Sequence, residues 1–307
     1  MTSNTDALLK RRRYVHERKK LENLTEKYLL DETPIEKYLF GNKEVFVKRE
    51  DLACLPPGPP FAKVRGLLPF LINLKTNGCD TVGYMETSVS MATWGISYFC
   101  KIIDLRAVVV YPEYTEPREN QKFQFEKWKE FGAEVYPLKK PNRMQINFYR
   151  ARKFLKEKYP DSFMLPLGLP FPETVIEVTK QTRLLDQYYG SIVICIGSGT
   201  MAAGVLKGLG KIQTTVYGVL ASPKNEEMVR KKIYKIGEMP LFSPTGLFKG
   251  PKLTLIDTGL GYTEKDESEC PFPCNNYYDR KAWGWLLRNY DKLEKPVLFW
   301  NIGSDYQ

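Results

Sequence analysis

The sequence predicts an α/β protein built around parallel sheets. Short apolar runs typical of buried strands alternate with amphipathic segments of helical period along the 307 residues. This length suffices for one or two domains. No internal repeat and no low-complexity linker divides the chain, so we expect any second domain to be wound into the first.

The apolar pattern and its glycine and proline punctuation place each element. Residues 6–30 have a helical period, and residues 44–48 form a short strand. A proline-rich loop then delivers Lys63 to a helix that runs towards Leu74. The other predicted helices cover residues 93–101, 120–131, 144–158, 173–189, 202–208 and 280–290, and the other strands cover residues 80–85, 107–111, 132–136, 192–196, 216–220, 252–256 and 297–300.

Composition excludes several classes of protein. No apolar run approaches the thickness of a bilayer, and the N-terminus is too polar for a secretory signal, so we expect a cytoplasmic protein. Of the six cysteines only Cys270 and Cys274 lie close in sequence, and the single histidine is His16. We therefore expect reduced thiols and no metal site.

The chain is basic, with a formal net charge of +10. Part of the excess lies in a cluster between Lys10 and Lys20. Such a cluster is typical of a solvated helix face. It also suits contact with DNA or another polyanion, or attraction of an acidic substrate. The sequence leaves these alternatives open.

Two distant segments point to a cofactor. Lys63 lies in the stretch Gly-Pro-Pro-Phe-Ala-Lys-Val-Arg-Gly, and Gly197-Ser198-Gly199-Thr200 follows an apolar strand and opens a helix. A glycine-rich turn at a helix N-terminus binds phosphate through backbone N–H groups. A reactive lysine forms a Schiff base with an aldehyde. Together they predict a site for pyridoxal 5′-phosphate (PLP), with Lys63 as the anchor.

A second polar loop precedes another predicted helix. Ser90-Met91-Ala92-Thr93-Trp94-Gly95-Ile96-Ser97 follows the strand that ends at Met85. Small polar residues in this position can bind a substrate carboxylate. They can also do no more than cap the helix.

In this order and spacing, the motifs resemble the fold-type II PLP-dependent enzymes, the superfamily of the tryptophan synthase β-subunit. The resemblance is strongest to the branch of aminocyclopropanecarboxylate deaminase and D-cysteine desulfhydrase. Further matching segments lie at residues 45–52, 61–66, 131–135, 261–262, 277–282 and 297–303, so that the resemblance spans residues 44–304.

The resemblance implies two parallel-sheet α/β domains, the smaller inserted in the larger. Its boundaries would be a basic helical arm over residues 1–43, a large PLP-binding domain over residues 44–66 and 171–307, and a small domain with the substrate loop over residues 67–170. A homodimer is also implied.

Roles for single residues come with the resemblance. Lys63 and Tyr278 would be catalytic, and Ser90, Thr93 and Trp94 would contact the substrate. The cofactor would be held by Lys63, Thr93, Gly197, Ser198, Gly199, Thr200 and Asp279, with the carboxylate of Asp279 beside the pyridine nitrogen. A carboxylate there keeps the nitrogen protonated and makes the ring a stronger electron sink.

The chain also departs from the family pattern. Thr93 and Trp94 stand where the family has asparagine and histidine, and Ala92 and Thr200 replace glycines. Ile302 occupies a position at which many members place a hydroxyl facing the pyridine nitrogen, and its side chain cannot form that bond. We expect cofactor binding to be kept and the substrate pocket to be different.

Three functions fit these residues. The first is lyase or deaminase-type elimination at the α-carbon of a free amino acid, through an external aldimine and a quinonoid. The second is processing, for example decarboxylation, of an amino acid attached to a modified DNA pyrimidine, as in some phage enzymes; the basic arm and the abundant aromatic residues suit such a substrate. The third is a non-catalytic descendant that only binds a ligand.

Overall fold

A computed structural model describes residues 23–87, 89–113, 119–239 and 250–305. Two compact units divide the chain. The small unit contains Leu67–Leu167, Pro57–Pro59 and the described residues before Leu30. The large unit contains Leu30–Pro56, Pro60–Gly66 and the chain from Gly168 onward. The basic cluster between Lys10 and Lys20 lies outside the described residues.

Helices and strands alternate through both units. The strands are β1 (Ile35–Phe40), β2 (Lys43–Arg49), β3 (Thr81–Met85), β4 (Arg106–Pro112), β5 (Glu134–Leu138), β6 (Phe163–Met164), β7 (Ser191–Ile196), β8 (Thr215–Leu220), β9 (Lys252–Ile256) and β10 (Val297–Asn301). The helices are α1 (Val64–Thr76), α2 (Ala92–Ile102), α3 (Glu119–Glu130), α4 (Met144–Lys158), α5 (Pro172–Arg183), α6 (Thr200–Leu209), α7 (Glu226–Ile236) and α8 (Asp279–Asn289). Residues 23–28 are also helical.

The large unit is built on a six-stranded sheet in the order β1-β2-β10-β7-β8-β9. Only the pairing of β1 with β2 is antiparallel. Alternate side chains of β7 enter two different cores: Ile192 and Ile194 pack with α5 and α6, whereas Val193 and Cys195 pack with α8. A parallel sheet covered on both faces explains why β7 is a continuous apolar run.

The small unit contains a four-stranded parallel sheet in the order β5-β4-β3-β6. Its core includes Met85 at the end of β3 and Val110 near the end of β4. The carboxyl ends of these two strands therefore share one edge, where α/β proteins commonly bind ligands. The predicted α/β class with parallel sheets is confirmed in both units.

The structure differs from the predicted elements at several points, among them the short strand β6, which was not predicted. Residues 35–40, assigned to a helical arm, form the edge strand β1, whose partly exposed pattern masks its strand character. The helix predicted over residues 173–189 ends at Arg183, and beyond it the Tyr189 hydroxyl donates to Asp186 within a turn. Helix α7 was not predicted. None of the helices in the described ranges is long and apolar enough to cross a membrane.

Helices α5 and α6 pack closely because α6 presents glycines to α5. A Cβ added to Gly204 would lie 2.5 Å from Cβ of Val178, and one added to Gly208 would lie 2.4 Å from Cβ of Thr182. Side-chain atoms do not approach so closely without displacement. This contact sets how α6, which begins at the Gly197–Thr200 loop, lies on the sheet.

We predict that Gly204→Ala destabilises the protein by about 1–3 kcal/mol, because overpacking at α5 outweighs the gain in helix propensity of about 1 kcal/mol. Urea unfolding followed by circular dichroism measures the change. Gly41→Ala is the contrasting variant, because it introduces backbone strain without overpacking. Its φ of +61° strains an alanine, but no atom lies within 4 Å of the added Cβ. Equal or higher stability of Gly204→Ala would contradict the packing argument.

Candidate active site

The segment that carries Lys63 is fixed to the end of the last strand of the large unit. The N–H of Ala62 donates to the carbonyl of Ile302 over 2.8 Å, and the N–H of Ser304 donates to the carbonyl of Pro60 over 3.1 Å. These two hydrogen bonds join the loop that carries Lys63 to the residues that follow β10. The backbone at Lys63 is therefore held at the carboxyl edge of the sheet, as in other α/β ligand sites.

The amine of Lys63 is partly buried and held by two acceptors. Nζ donates to the carbonyl of Gly168 over 2.7 Å and to Oγ of Ser198 over 3.0 Å. Burial lowers the pKa of Lys63 to about 8, and the positive charges of Lys232 and Lys224 contribute to this lowering. About a tenth of the amine is thus neutral, and nucleophilic, at pH 7.

The carbonyl that accepts from Lys63 belongs to an unusual turn. Gly168 and Leu169 both have positive φ, +79° and +48°. A Cβ at residue 168 would lie 2.7 Å from Cβ of Ser198, so this position requires glycine. This turn was not predicted from the sequence, although the prolines at 166 and 170 that flank it are a turn signal.

The glycine loop has the geometry of an anion site. Gly199 has a φ of +91°, and a Cβ there would lie 2.7 Å from Cγ1 of Ile233. It caps α6, whose first residue is Thr200, and Oγ of Ser198 lies 2.9 Å from Oγ1 of Thr200. Backbone N–H groups and the positive end of the helix dipole therefore point out of this loop.

Two further lysines lie near this loop. Lys224 donates from Nζ to the carbonyl of Gly197 over 2.8 Å, and Lys232 acts electrostatically on Lys63. Neither forms an ion pair with a carboxylate among the residues that the structure describes. Neither lysine was predicted from the sequence to belong to the site. Lys224 could have been found, because it follows β8, the strand next to β7, at the same sheet edge.

Asp279 is a buried carboxylate at the start of α8. It is 1% exposed, and Oδ1 accepts a hydrogen bond from the N–H of Ile302 over 3.1 Å. Burial raises the pKa of Asp279 well above its ordinary value. It forms no ion pair within the described ranges. Because burial disfavours the charged form, the ionised carboxylate needs a cationic N–H donor as its partner.

Tyr278 lies against the glycine loop. A Cβ built on Gly197 would lie 3.6 Å from Cε1 of Tyr278. The Tyr278 and Tyr262 hydroxyls are hydrogen-bonded, and their rings meet edge to face with centroids 5.7 Å apart. The large unit thus brings together Lys63, the 197–200 loop, Tyr278 and Asp279.

The other predicted site residues belong to the small unit, at the start of α2. Oγ of Ser90 accepts from the N–H of Ala92, the first residue of the helix, over 3.1 Å. Thr93 is buried, and its hydroxyl is hydrogen-bonded to Glu86. Trp94 is 6% exposed and packs edge to face on Phe123 at 5.6 Å. The two hydroxyls thus have local hydrogen bonds, whereas Nε1–H of Trp94 has no hydrogen-bond partner among the described residues. The predicted roles in binding stay predictions.

Glu86 is a further residue that the sequence analysis missed. It follows β3 and is 3% exposed; the N–H of Thr87 donates to its Oε1 over 2.6 Å. Burial raises the pKa of Glu86 to about 8. The carboxyl group is therefore mostly protonated at neutral pH and can donate or accept a hydrogen bond.

Comparison with known proteins identifies the family. The family model described as "Pyridoxal-phosphate dependent enzyme" matches residues 28–242. The chain belongs to this family. Its cofactor is PLP, and it is a fold-type II enzyme, as the sequence motifs predicted.

Two curated relatives are informative. The chain is 33% identical over 293 residues to the glycyl-dTMP PLP-dependent decarboxylase of Pseudomonas phage M6, covering 90% of this chain and 100% of that protein. It is 27% identical over 215 residues to a putative 1-aminocyclopropane-1-carboxylate deaminase of Pyrococcus furiosus, covering 65% of this chain and 64% of that protein.

Solved structures confirm the fold. An aminocyclopropanecarboxylate (ACC) deaminase homologue superposes with a TM-score of 0.70 at 19% identity, covering 92% of this chain and 94% of that one. A bacterial threonine deaminase superposes with a TM-score of 0.62 at 15% identity, covering 95% of this chain and 98% of that one. At these identities the likeness shows the fold alone.

The residues of the large unit fit PLP. The loop at the start of α6 and the nearby Lys224 offer N–H donors and positive charge to a phosphate. Asp279 offers a buried carboxylate to a protonated ring nitrogen, and Lys63 offers an amine of lowered pKa to an aldehyde. These protein groups thus match the phosphate, the ring nitrogen and the aldehyde of the cofactor.

We predict that Lys63→Ala loses the visible absorbance of the PLP-loaded enzyme, because no amine remains to form the covalent link. Lys63→Arg should lose it too, since a guanidinium is not nucleophilic at neutral pH. Mass spectrometry after borohydride reduction checks the attachment site in the wild type.

The rate of PLP attachment should rise with pH and level off above the Lys63 pKa of about 8. Lys180→Ala, on an exposed part of α5, is the control; an unchanged spectrum in Lys63→Ala would refute the assignment.

Proposed function

We propose that the protein is a PLP-dependent decarboxylase that acts on an amino acid carried by a thymidine nucleotide. The observation that carries this proposal is the similarity to the phage glycyl-dTMP decarboxylase, which extends over 90% of this chain and the whole of that protein. It favours the second of the three functions considered from the sequence. The retained Lys63 and Asp279 disfavour a non-catalytic role.

Lys63 has two tasks in this proposal. Its neutral amine holds the cofactor, and after the substrate has displaced it, the same amine can hold a proton. PLP, when bound, supplies the sink for the electron pair left on the α-carbon when the bond to the carboxylate breaks. The carbon must then gain a proton, and an ammonium with a pKa of about 8 is a suitable donor near neutral pH.

Asp279 controls the charge of the ring nitrogen in this proposal. The N–H of Ile302 orients its carboxylate. In a buried site, a carboxylate beside the nitrogen favours the protonated ring, because the opposite charges attract where water does not screen them. Ser90 and the backbone N–H groups at the start of α2 remain our proposal for binding the substrate carboxylate, with Thr93 and Trp94 shaping that loop.

Deamination of a free amino acid is the second candidate. It is supported by the 27% identity to the putative aminocyclopropanecarboxylate deaminase and by the hydrogen-bonded pair Tyr278–Tyr262. One phenol of such a pair can move a proton while the other stabilises the resulting charge. The longer match to the decarboxylase ranks this candidate second.

The surface of α4 suits a substrate that is part of DNA. Residues 139–158 contain eight Lys and Arg residues and one acid, Glu157. Arg143, Arg152 and Lys153 are exposed, and Nζ of Lys153 lies 3.7 Å from Oε1 of Glu157. Arg150 donates to the carbonyls of Lys139 and Lys140, so these bonds neutralise none of its charge. We propose that the exposed basic residues in and beside α4 contact the phosphate backbone; the predicted arm contact and the homodimer also remain proposals.

We predict that the PLP-loaded enzyme releases CO₂ from glycyl-dTMP, free or in DNA, and no ammonia from 1-aminocyclopropane-1-carboxylate. Labelled CO₂ and ammonia assays measure both products. Asp279→Asn should lower kcat about 100-fold, because the ring nitrogen loses its charged partner. Asp291→Asn, at an exposed aspartate of the same unit, is the control. Ammonia without CO₂ would favour the deaminase, and neither product would refute both candidates.

We predict that replacing Arg143, Arg152 and Lys153 together by alanine weakens binding to duplex DNA. The slope of log affinity against log salt should fall by about 3, one for each lost phosphate contact. Fluorescence anisotropy between about 50 and 200 mM salt measures this slope. A matched control replaces the exposed Lys180, Lys211 and Lys292 by alanine. Equal slopes for the two triple variants would show that α4 does not contact DNA.

A further inference from the structure

The small unit contains a cavity at the carboxyl ends of β3 and β4. Its volume is about 320 Å³, at the small end of the range for ligand sites. Glu86 and Tyr111 contribute from the strand ends, and α3 forms a wall through Gln124, Phe125 and Trp128. A ring-sized ligand is therefore the class that this space suits.

Two buried polar atoms at this cavity lack partners. Gln124 is 3% exposed and Trp128 is 4% exposed. Oε1 of Gln124, an acceptor, and Nε1–H of Trp128, a donor, form no hydrogen bond with any residue that the structure describes. Their positions, four apart on α3, place them on one helix face. Because buried polar groups are nearly always paired, a donor and an acceptor left open together indicate a ligand that supplies both counterparts.

The rest of the lining favours a flat, uncharged ligand. The rings of Tyr111, Phe125 and Trp128 contact one another, with centroids 5.5 to 6.1 Å apart. Aromatic walls of this kind bind bases by stacking. Glu113 and Glu126 line the cavity with one lysine of the lining, Lys122, and the carboxyl group of Glu86 is mostly protonated. This excess of carboxyl groups disfavours a phosphate in the same space.

We propose that this cavity binds the pyrimidine ring of the substrate and selects thymine or uracil over cytosine. Thymine and uracil present an N3–H donor between two carbonyl acceptors. Oε1 of Gln124 accepts from N3–H, and Nε1–H of Trp128 donates to a neighbouring carbonyl. In cytosine N3 is an acceptor, which leaves the Gln124 oxygen unpaired. This inference rests on the proposed function, since it assigns the base of that substrate to a site.

The first test uses wild-type holoenzyme and three nucleotides, so it does not depend on a variant that folds. dTMP, N3-methyl-dTMP and dCMP are titrated by calorimetry. We expect dTMP to bind about tenfold more tightly than either of the others, because each of them lacks the N3–H donor. Equal affinity for dTMP and N3-methyl-dTMP, or no binding of dTMP, would overturn the proposal.

The second test changes the protein. Gln124→Leu and Trp128→Phe should each raise the KM for glycyl-dTMP about tenfold and abolish the preference for dTMP over dCMP. Gln213→Leu, at an exposed glutamine of the large unit, is the matched control. Retained PLP absorbance shows that each variant is folded. An unchanged preference in both folded variants would overturn the assignment.

The two tests separate this inference from the proposed function. If the wild type selects dTMP over N3-methyl-dTMP but releases no CO₂ from glycyl-dTMP, the cavity assignment holds and decarboxylation is wrong. If the wild type releases CO₂ but binds the three nucleotides equally, decarboxylation holds and the cavity assignment is wrong.

Discussion

The candidate active site of the large unit depends on two backbone groups of one residue, Ile302, which directly follows the last strand. The carbonyl of Ile302 accepts a hydrogen bond from the N–H of Ala62, the residue before Lys63. The N–H of Ile302 donates to the carboxyl group of Asp279. The segment that carries the Lys63 amine and the buried carboxyl group of Asp279 are thereby both bonded to the main chain of residue 302. This residue directly follows β10, which lies between β2 and β7 in the sheet.

Charge is distributed unequally around Lys63. Lys224 and Lys232 carry positive charge without a described carboxylate partner, whereas Asp279 is a buried carboxyl group of raised pKa without a described cation to stabilise its ionised form. An ordinary folded protein pairs such groups with one another. Their separation here suits a ligand with an anionic group at one end and a cationic group at the other. PLP has this polarity, and the protein is therefore organised for it before it binds.

The sequence was informative wherever a function needs a particular side chain or a glycine. Lys63, the 197–200 loop and Asp279 follow from motifs, and the alternation of strands and helices predicts the sheets. Contacts made by the main chain, such as the carbonyl of Gly168, have no comparable signal. Lys224 was missed because an exposed lysine is common, and β1 because an edge strand lacks a continuous apolar run.

The use of main-chain atoms at residue 302 has a consequence for how this enzyme can change over time. Any amino acid that keeps its N–H preserves the link between Lys63 and Asp279, and only proline would remove the donor to Asp279. The main-chain anchor therefore does not restrict the side chain at this position, which is restricted instead by its packing against both cores of the large unit. Substitutions that keep this packing can alter the surroundings of residue 302 without loss of the anchor.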